Sequence, residues 1–273
     1  MTEIVGPGPD ESLDLLAGDW RIFQLRKGHR FSTDDLVTAW FGALARPGAA
    51  TVLDLGAGIG SVGLATLWLL DHEADATGWW ARPGARARLW MVEAQEVTHL
   101  LARRSVAHNG LADRVTLRCC DLRDPAAVGA EERFDLVTGS PPYIPLGKGH
   151  VSPHPQRAAC RIELRGDVLD YCRTAARALA VGGRVALVHA WGDPRPEAAL
   201  LATGLCLLRK VEVVFRRGRT PTIVVYVAGR EGEEPAAEVL RETLTVREGD
   251  GAWTEEWRAL RAAMGAPEAG RER

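Results

Sequence analysis

Short apolar runs alternate with amphipathic segments from about residue 34 onward. The segment 34–45 is a predicted helix, because Leu36, Trp40 and Leu44 share one face and two aspartates occupy its first turn. Further helices are predicted over 61–72, 94–109, about 166–180 and 196–207. The apolar runs between them predict strands over 50–56, 87–93, 114–120, 134–140 and 184–190. This alternation indicates a mostly parallel sheet with helices on both faces.

The chain after the last of these helices has a different pattern. Two β-rich runs, 210–215 and 222–228, are separated by the short connection Arg216-Arg217-Gly218-Arg219. A connection of this length favours a hairpin, so the two strands are expected to pair antiparallel. Together the elements predict an α/β, doubly wound, seven-stranded Rossmann-like sheet that is mostly parallel and carries an antiparallel C-terminal hairpin.

The pattern also divides the chain into regions. Residues 1–20 contain Gly, Pro and acidic residues, which predicts a loose segment, whereas 254–264 could form a helix or be disordered. An inserted loop is predicted over 73–86, because these residues favour turns and show no periodicity. The predicted regions are an N-terminal arm (1–30), an α/β domain (31–230) with an inserted loop (73–86), and a charged C-terminal extension (231–273).

Composition narrows the class of protein. The 273 residues are 46% hydrophobic and 26% charged, which is ordinary for a globular protein in water. No run approaches the ~18 apolar residues of a membrane span, and the N-terminus lacks the basic start and apolar core of a secretion signal. The five cysteines form no CxxC pair and the seven histidines no HExxH motif. We therefore expect a cytoplasmic protein with reduced thiols, no membrane segment and no metal.

A glycine-rich loop directly follows the first predicted strand. It reads Asp54-Leu55-Gly56-Ala57-Gly58-Ile59-Gly60, and glycines at this place let a ligand approach the backbone. Gly58, Gly60 and Gly63 also fit GxGxxG, the weak fingerprint of dinucleotide sites. Asp54, however, would repel a phosphate and attract the positively charged amino-acid end of S-adenosylmethionine. The loop therefore favours S-adenosyl-L-methionine over NAD as the cofactor.

Two further carboxylates follow the next strands of the predicted sheet. Glu93 ends the second strand and can accept hydrogen bonds from both ribose hydroxyls, a role that suits either cofactor. Asp121 follows the third strand and can accept from an adenine amine, although an aspartate in a turn also commonly caps the local backbone. Their neighbours Ala94 and Leu122 are assigned to the same cofactor site.

The segment after the fourth strand carries the most specific chemistry. Ser140-Pro141-Pro142-Tyr143 resembles the loop of amino-methyltransferases marked by [N/D/S]PP[Y/F], with Ser140 in place of the commoner Asn. An aryl amine is a poor nucleophile, and the Ser140 hydroxyl and Pro141 carbonyl could draw electron density to its nitrogen by accepting its protons. Pro142 helps to fix the backbone, and Tyr143 offers a ring for stacking on a flipped base. The resemblance implies a methyltransferase-type sheet and these four residues as the catalytic set.

The resemblance extends to a narrower family over roughly residues 20–230. Gly28-His29-Arg30-Phe31-Ser32-Thr33-Asp34 is similar to the segment that closes over the cofactor in bacterial tRNA-adenine methyltransferases acting on the tRNA(Val) anticodon loop. It implies that Phe31 and Asp34 lie beside the cofactor. Arg157, Arg161 and Glu163 resemble that family's Arg-rich stretch. The implied substrate is the exocyclic amine of adenine in RNA, with tRNA the expected RNA.

Charge distribution adds a candidate nucleic-acid surface. The net charge of −2 does not by itself indicate a nucleic-acid binder, but basic residues cluster near the proposed site. Each cluster taken alone could be an ordinary solvated face; together they predict contacts with RNA phosphates. The clusters are Arg21, Arg26, Lys27, His29 and Arg30; then Lys148, His150, His154, Arg157, Arg161 and Arg165; then Arg209, Lys210, Arg216, Arg217 and Arg219.

Four other functions are compatible with parts of the pattern. A protein-glutamine methyltransferase also carries a Pro-Pro-Tyr loop, but usually as NPPY behind an N-terminal helical domain. A DNA amino-methyltransferase would fit SPPY but usually needs a target-recognition domain. A module could bind the cofactor or RNA without turnover, which the complete set of Asp54, Glu93 and SPPY disfavours. The same residues disfavour an NAD oxidoreductase.

Overall fold

A computed structural model describes residues 6–72, 86–148, 154–233 and 238–266. The predicted inserted loop lies outside these ranges apart from residue 86. The order of elements follows the predicted alternation, so the α/β class inferred from the pattern of apolar residues is confirmed.

The N-terminal segment forms a hairpin, and the prediction of a loose segment is wrong for its second half. Strands β1 (Glu11–Ala17) and β2 (Trp20–Leu25) pair antiparallel as a separate two-stranded sheet. Ile22 and Phe23 are fully buried, and the Phe23 N–H donates to Ser105 Oγ at 3.0 Å. The sequence pattern did not indicate these short strands, because acidic, Gly and Pro residues precede them.

In the part of the chain that the structure describes, the central sheet contains eight strands rather than the predicted seven. In chain order they are β3 (Thr51–Leu55), β4 (Arg88–Glu93), β5 (Val115–Cys119), β6 (Phe134–Gly139), β7 (Leu179–Ala190), β8 (Leu205–Val214), β9 (Ile223–Arg230) and β10 (Leu240–Thr245). Their spatial order is β10-β8-β9-β7-β6-β3-β4-β5. Among these eight described strands, β9 alone runs antiparallel to its neighbours, β7 and β8, and its pairing with β8 confirms the predicted hairpin.

The additional strand lies in the predicted charged extension. β10 pairs parallel with β8 at the edge of the sheet. Its sequence, LRETLT, is mostly polar because one outer face is exposed, and only Leu244 and Thr245 are buried. An edge strand of this composition gives little apolar signal, so the sequence did not indicate it.

Helices cover both faces of the sheet. They are α1 (Thr33–Ala45), α2 (Ser61–Asp71), α3 (Glu96–His108), α4 (Pro155–Arg161), α5 (Val168–Ala178), α6 (Arg195–Ala202) and α7 (Glu255–Ala263). α6 ends five residues earlier than the predicted 207, because Gly204 adopts a left-handed conformation and β8 begins at Leu205. One apolar core lies under α1, α2, α3 and the β1–β2 hairpin, and a second lies under α5 and α6.

Neighbouring residues of one strand alternate between the two cores. On β3, Val52 belongs to the first core and Leu53 to the second. Such burial on both faces explains the continuous apolar runs of the sequence. Within the ranges that the structure describes, no helix has the length and apolarity needed to cross a membrane.

Candidate active site

A cavity of about 700 Å³ lies at the carboxyl ends of β3, β4 and β6. Loops that follow these strands form much of its wall, because parallel strands place the loops after them at the same end of the sheet. The structure brings together most of the residues predicted for cofactor and substrate. Those that line the cavity are Asp34, Asp54, Gly56, Ala57, Gly58, Glu93, Ala94, Leu122, Ser140, Pro141, Pro142 and Tyr143.

The glycine loop gives the cavity a backbone wall. Gly56 has φ +60°, and a side chain at this position would collide with the Tyr171 hydroxyl, 1.9 Å from an ideal Cβ. Gly58 has φ +56° and faces open space. Both positions therefore require glycine for conformation, and Gly58 also leaves room for a ligand to approach.

Glu93 connects the end of β4 to the glycine loop. One carboxylate oxygen accepts from the Gly58 N–H at 2.8 Å and the other from the Gln95 N–H at 2.6 Å. Each oxygen has a second lone pair, so Glu93 can still accept hydrogen bonds from hydroxyl groups in the cavity. Glu93 is buried, with 7% of the residue exposed.

Two aspartates are buried beside the loop. Asp54 accepts from the Gly63 N–H at 2.9 Å and from the Thr138 hydroxyl at 2.8 Å. Burial raises the pKa of Asp54 to about 7 and the pKa of Asp35 to about 6; less strongly, the Asp35 carboxylate raises the pKa of Asp54, and the Asp34 carboxylate raises that of Asp35. Asp35 accepts from the Ser32 N–H and the Ser61 hydroxyl. With Asp34 and Glu93 they form an acidic wall that favours a cation.

The SPPY loop forms another part of the cavity wall. The Tyr143 hydroxyl donates to Asp34 Oδ2 at 2.8 Å, and Ser140 in turn hydrogen-bonds to the Tyr143 oxygen. Burial raises the pKa of Tyr143 well above its usual value, and the Asp34 carboxylate acts in the same direction. The Tyr143 ring also lies 5.0 Å from the His189 ring. A chain of hydrogen bonds thus connects Ser140 through Tyr143 to the first turn of α1.

Helix α4 holds the segment before α1 over the cavity. Gln156 Oε1 accepts from the His29 N–H at 2.5 Å. The Arg157 guanidinium donates to the carbonyls of Lys27 and Gly28, at 3.0 and 3.1 Å. As a result His29 lines the cavity together with Gly28, Arg30 and Ser32.

The mouth of the cavity is basic. Arg157, Arg161 and Arg165 line it, and we refer to these three residues as the basic rim. Arg161 and Arg165 are exposed. The cavity therefore combines an acidic wall with a basic rim, an arrangement that suits a ligand with a cationic centre inside and an anionic group outside.

Three predicted cofactor residues do not line the cavity. Phe31 packs against the first apolar core, and its N–H donates to Gln24 Oε1 at 3.1 Å. Gly60 is the N-cap of α2. Asp121 lies between the lining residues Cys120 and Leu122, but its carboxylate is paired with Arg123 at 2.7 Å. Their direct roles in cofactor binding stay predictions.

Several lining residues were not predicted from the sequence. Asp35 stands next to the predicted Asp34, and the Asp-Asp pair before the helix was interpreted only as first-turn stabilisation. Gln95 and Cys160 are hydrogen-bonded to each other at 3.6 Å, and burial raises the pKa of Cys160 to about 12. Tyr171 reaches the cavity from α5. No local motif marks such positions, because only the packing of distant elements brings them to the site.

Comparisons with known proteins agree with this geometry, although no family model matches the chain. The chain is 25% identical over 183 residues to a tRNA1(Val) (adenine(37)-N6)-methyltransferase of Histophilus somni, covering 67% of this chain and 70% of that protein. A protein of the same name from Tolumonas auensis is 26% identical over 88% of this chain and 92% of its own length. These relatives confirm the resemblance indicated by the sequence.

A different relative matches a shorter region. A release factor glutamine methyltransferase of Geobacter sulfurreducens is 34% identical over 132 residues, which is 46% of this chain and 39% of that protein.

Solved structures confirm the fold class. A predicted O-methyltransferase from Agrobacterium tumefaciens covers 86% of this chain with a TM-score of 0.55 and 18% identity, and its own chain is covered to 98%. A Thermus thermophilus 16S rRNA N2 methyltransferase in complex with AdoMet and guanosine covers 81% of this chain with a TM-score of 0.52 and 18% identity, with half of its own length matched.

Proposed function

We propose that this protein is an S-adenosylmethionine-dependent N-methyltransferase that acts on the exocyclic amine of adenine in RNA, with tRNA as the expected substrate. One observation carries the proposal: the glycine loop and the SPPY loop line the same cavity. A site for the cofactor and a site for a planar amine thus adjoin each other. The names of the relatives from Histophilus somni and Tolumonas auensis support the same reaction and substrate.

The residues of the cavity fit S-adenosylmethionine. Gly58 faces open space, so a ligand can contact the backbone there. The acidic wall suits the positive charges of the sulfonium and ammonium groups, which would compensate the buried Asp35 and Asp54 carboxylates. Glu93 can accept hydrogen bonds from ribose hydroxyls. When bound, the cofactor supplies an electrophilic methyl group.

The SPPY loop supplies acceptors for the target amine. The Ser140 hydroxyl donates its proton to the Tyr143 oxygen, and Tyr143 in turn donates to Asp34. These hydrogen bonds fix the orientation of the Ser140 oxygen and leave its lone pairs free to accept. Together with the Pro141 carbonyl, this oxygen can accept the two amine protons and increase electron density on nitrogen. Catalysis then depends on alignment and on a fixed set of dipoles, and the excess proton leaves the product amine for water.

The experiment that tests this function offers tritiated S-adenosylmethionine together with four separate acceptors: total tRNA, ribosomal RNA, DNA and a release factor. The expected result is label in RNA, recovered as N6-methyladenosine after nuclease digestion. Ser140→Ala removes one acceptor and should lower the rate about a hundredfold, within the range measured for loss of one stabilising hydrogen-bond group. Thr243→Ala, which removes an exposed hydroxyl from β10, is the matched control and should leave the rate unchanged.

Other outcomes would contradict the proposal in distinct ways. Label in the release factor alone would replace adenine by a glutamine side chain as the acceptor. Label in DNA alone would show that the substrate is DNA and not RNA. Cofactor binding by calorimetry without transfer to any of the four acceptors would leave a binding module. A cytoplasmic location stays a prediction that cell fractionation would test.

A further inference from the structure

An exposed aromatic residue lies at the same edge of the sheet as the cavity. Trp191 directly follows β7 and is 44% exposed. Its indole N–H donates to Glu212 Oε1 at 3.2 Å, and its backbone N–H donates to the Thr222 carbonyl at 2.9 Å. These two contacts hold the residue in place while almost half of it stays accessible. A held, accessible indole is a suitable platform for stacking.

Two exposed arginines lie in the connection that Trp191 contacts. Arg216 and Arg219 belong to the turn between β8 and β9, which the Arg219 N–H closes by donating to the Arg216 carbonyl at 3.0 Å. The hydrogen bond from Trp191 to Thr222 joins the end of this connection to the turn after β7. Neither arginine forms an ion pair with another residue in the described ranges. Both guanidinium groups are therefore available to an anion.

The acidic groups around this surface have partners of their own. Glu212 accepts from the Trp191 indole. Glu248 is paired with Arg217, with 2.5 Å between nitrogen and oxygen, and Asp193 is paired with Arg195 at 2.6 Å. Arg217 thus compensates the charge of Glu248, and Asp193 shares Arg195 with Glu163, whereas Glu212 keeps its charge because the indole is neutral. We call the surface made by Trp191, Arg216 and Arg219 the hairpin surface, and its two exposed arginines are its cationic groups.

The order of strands places the hairpin surface beside the SPPY loop. β6 is followed in the sheet by β7, β9 and β8, while β3 and β4 lie on the other side of β6. The SPPY loop follows β6, Trp191 follows β7, and the arginines follow β8, all at the carboxyl ends of mutually parallel strands. His189, two residues before Trp191, contacts the Tyr143 ring. Trp191 thus lies one strand from the SPPY loop and the arginines two strands further along the sheet, on the side away from the glycine loop.

We propose that the hairpin surface binds the single-stranded RNA next to the target adenine. Trp191 stacks on an unpaired neighbouring base, and Arg216 and Arg219 bind the adjacent phosphates. Proteins recognise single-stranded RNA by this combination of an aromatic platform and basic side chains. A flipped base in the SPPY loop requires its neighbours to leave the cavity, and this direction offers them complementary chemistry. The inference rests on the proposed function and deepens it.

The arginines are tested by the salt dependence of tRNA binding. Filter binding of labelled tRNA, measured from about 50 to 300 mM KCl, compares the wild type with Arg216→Ala/Arg219→Ala. Loss of two phosphate contacts should lower the affinity at least tenfold at low salt and reduce the slope of log K against log[salt] by about 1.5. The control, Arg88→Ala/Arg177→Ala, removes the same charge from two exposed residues at the amino ends of the strands, away from the cavity. Arg88 begins β4 and Arg177 lies in the last turn of α5. It should bind like the wild type.

Trp191 is tested by paired substitutions. Trp191→Ala should weaken tRNA binding about tenfold, the effect of losing one stacked base, whereas Trp191→Phe should retain most of the affinity. Leu201→Ala, at an exposed apolar residue of α6, is the control and should change nothing. In all variants the dissociation constant for S-adenosylmethionine should equal that of the wild type, because the cofactor site lies across the SPPY loop.

The outcomes separate this inference from the proposed function. If the wild type methylates tRNA and the hairpin variants bind and methylate it as the control variants do, the hairpin surface is refuted while the function stands. Equal losses in the hairpin and control variants would also refute it, since they would show unspecific electrostatics. If the wild type methylates the release factor and not RNA, the proposed function itself has failed and takes this inference with it.

Discussion

At the level of single residues, Asp54 has an unusual balance between burial and hydrogen bonding. Its two hydrogen bonds, from Gly63 and Thr138, do not offset the loss of hydration, and the pKa stays raised to about 7. Asp35 lies nearby with a pKa raised to about 6. A protein keeps such carboxyl groups without a compensating cation only at a cost in stability, which is common at functional sites.

This balance predicts an unusual pH dependence of stability. Between about pH 4 and 7 the folded protein holds a proton on Asp54 that the unfolded chain releases, so the free energy of unfolding should fall as the pH rises through this range. The contribution is on the order of a few kcal/mol. Asp54→Asn cannot ionise and should remove it. Urea unfolding at several pH values, without added cofactor, measures the difference between wild type and variant.

Comparison with the variant is essential because other carboxyl groups act in the opposite direction. Arg118 and hydrogen bonding lower the pKa of Glu132, for example, and its contribution is lost as the pH falls. Parallel stability curves for wild type and Asp54→Asn across this range would contradict the prediction.

The hydrogen bond from Tyr143 to Asp34 leads to a second prediction. Tyr143→Phe keeps the ring against His189 but removes the donor to Asp34 and the acceptor for Ser140. The Ser140 oxygen then loses its fixed orientation, and a small displacement of a reacting group can cost up to about a hundredfold in rate. We expect kcat to fall about tenfold while the KM for RNA changes less than threefold.

Steady-state methylation assays on tRNA measure both constants. An unchanged kcat would show that the hydroxyl has no positioning role. A rise in KM alone would show that Tyr143 contributes to RNA binding instead.

At the level of elements, hydrogen bonds from helix α4 keep the segment before α1 over the cavity. Gln156 holds the His29 backbone, and Arg157 holds the carbonyls of Lys27 and Gly28. The helix has only seven residues, so these tertiary contacts define its place more than its own helical stability does. Coverage of the cavity is thus a property of two distant segments.

This contact predicts an effect of Gln156→Ala on cofactor binding. The variant leaves the His29 N–H without its partner, so the segment should detach more readily and release the cofactor faster. Calorimetry should show an affinity for S-adenosylmethionine that is roughly fivefold lower, equivalent to about one hydrogen bond. Thr243→Ala, on the remote β10, serves as control. Equal affinities would show that the segment does not cover the bound cofactor.

At the level of the whole molecule, the N-terminal hairpin is part of the main fold. Phe23 is fully buried in the first apolar core, and the Gly18 N–H donates to the Met264 carbonyl at 2.8 Å. Contacts of this kind join the N-terminal hairpin to the C-cap residue of α7. The hairpin and the C-terminal helix should therefore unfold together with the central sheet.

Phe23→Ala tests this cooperativity. Removing a buried Phe should lower the free energy of unfolding by about 3–5 kcal/mol. The whole transition should shift, whether it is followed by circular dichroism or by tryptophan fluorescence. Val181→Thr, at a residue that is 86% exposed, is the control and should change stability by less than about 0.5 kcal/mol. Separate transitions for the two probes would show that the hairpin is an independent unit.

The sequence by itself determined the elements that depend on local patterns. The strands β3, β4, β6 and β7, which are buried on both faces, produced continuous apolar runs, so the parallel sheet could be inferred, and Gly56 and Gly58 marked the loop after the first of them. SPPY was recognisable because its four residues are adjacent in the chain and all line the cavity. These features need no knowledge of distant contacts.

Only the tertiary structure decided the remainder, since it depends on which distant segments meet. The strands Glu11–Ala17 and Leu240–Thr245 are short and half polar; the first pairs with β2, which packs against the distant helix α3, and the second pairs with β8 at a sheet edge. Asp35 became a buried carboxyl group because α1 packs on α2 beside β3. The prediction that Tyr143 stacks on a base stays a prediction, whereas the hydrogen bond from its hydroxyl to Asp34, 109 residues away, was visible only in the structure. Long-range packing fixed these positions, and no local pattern of residues encodes it.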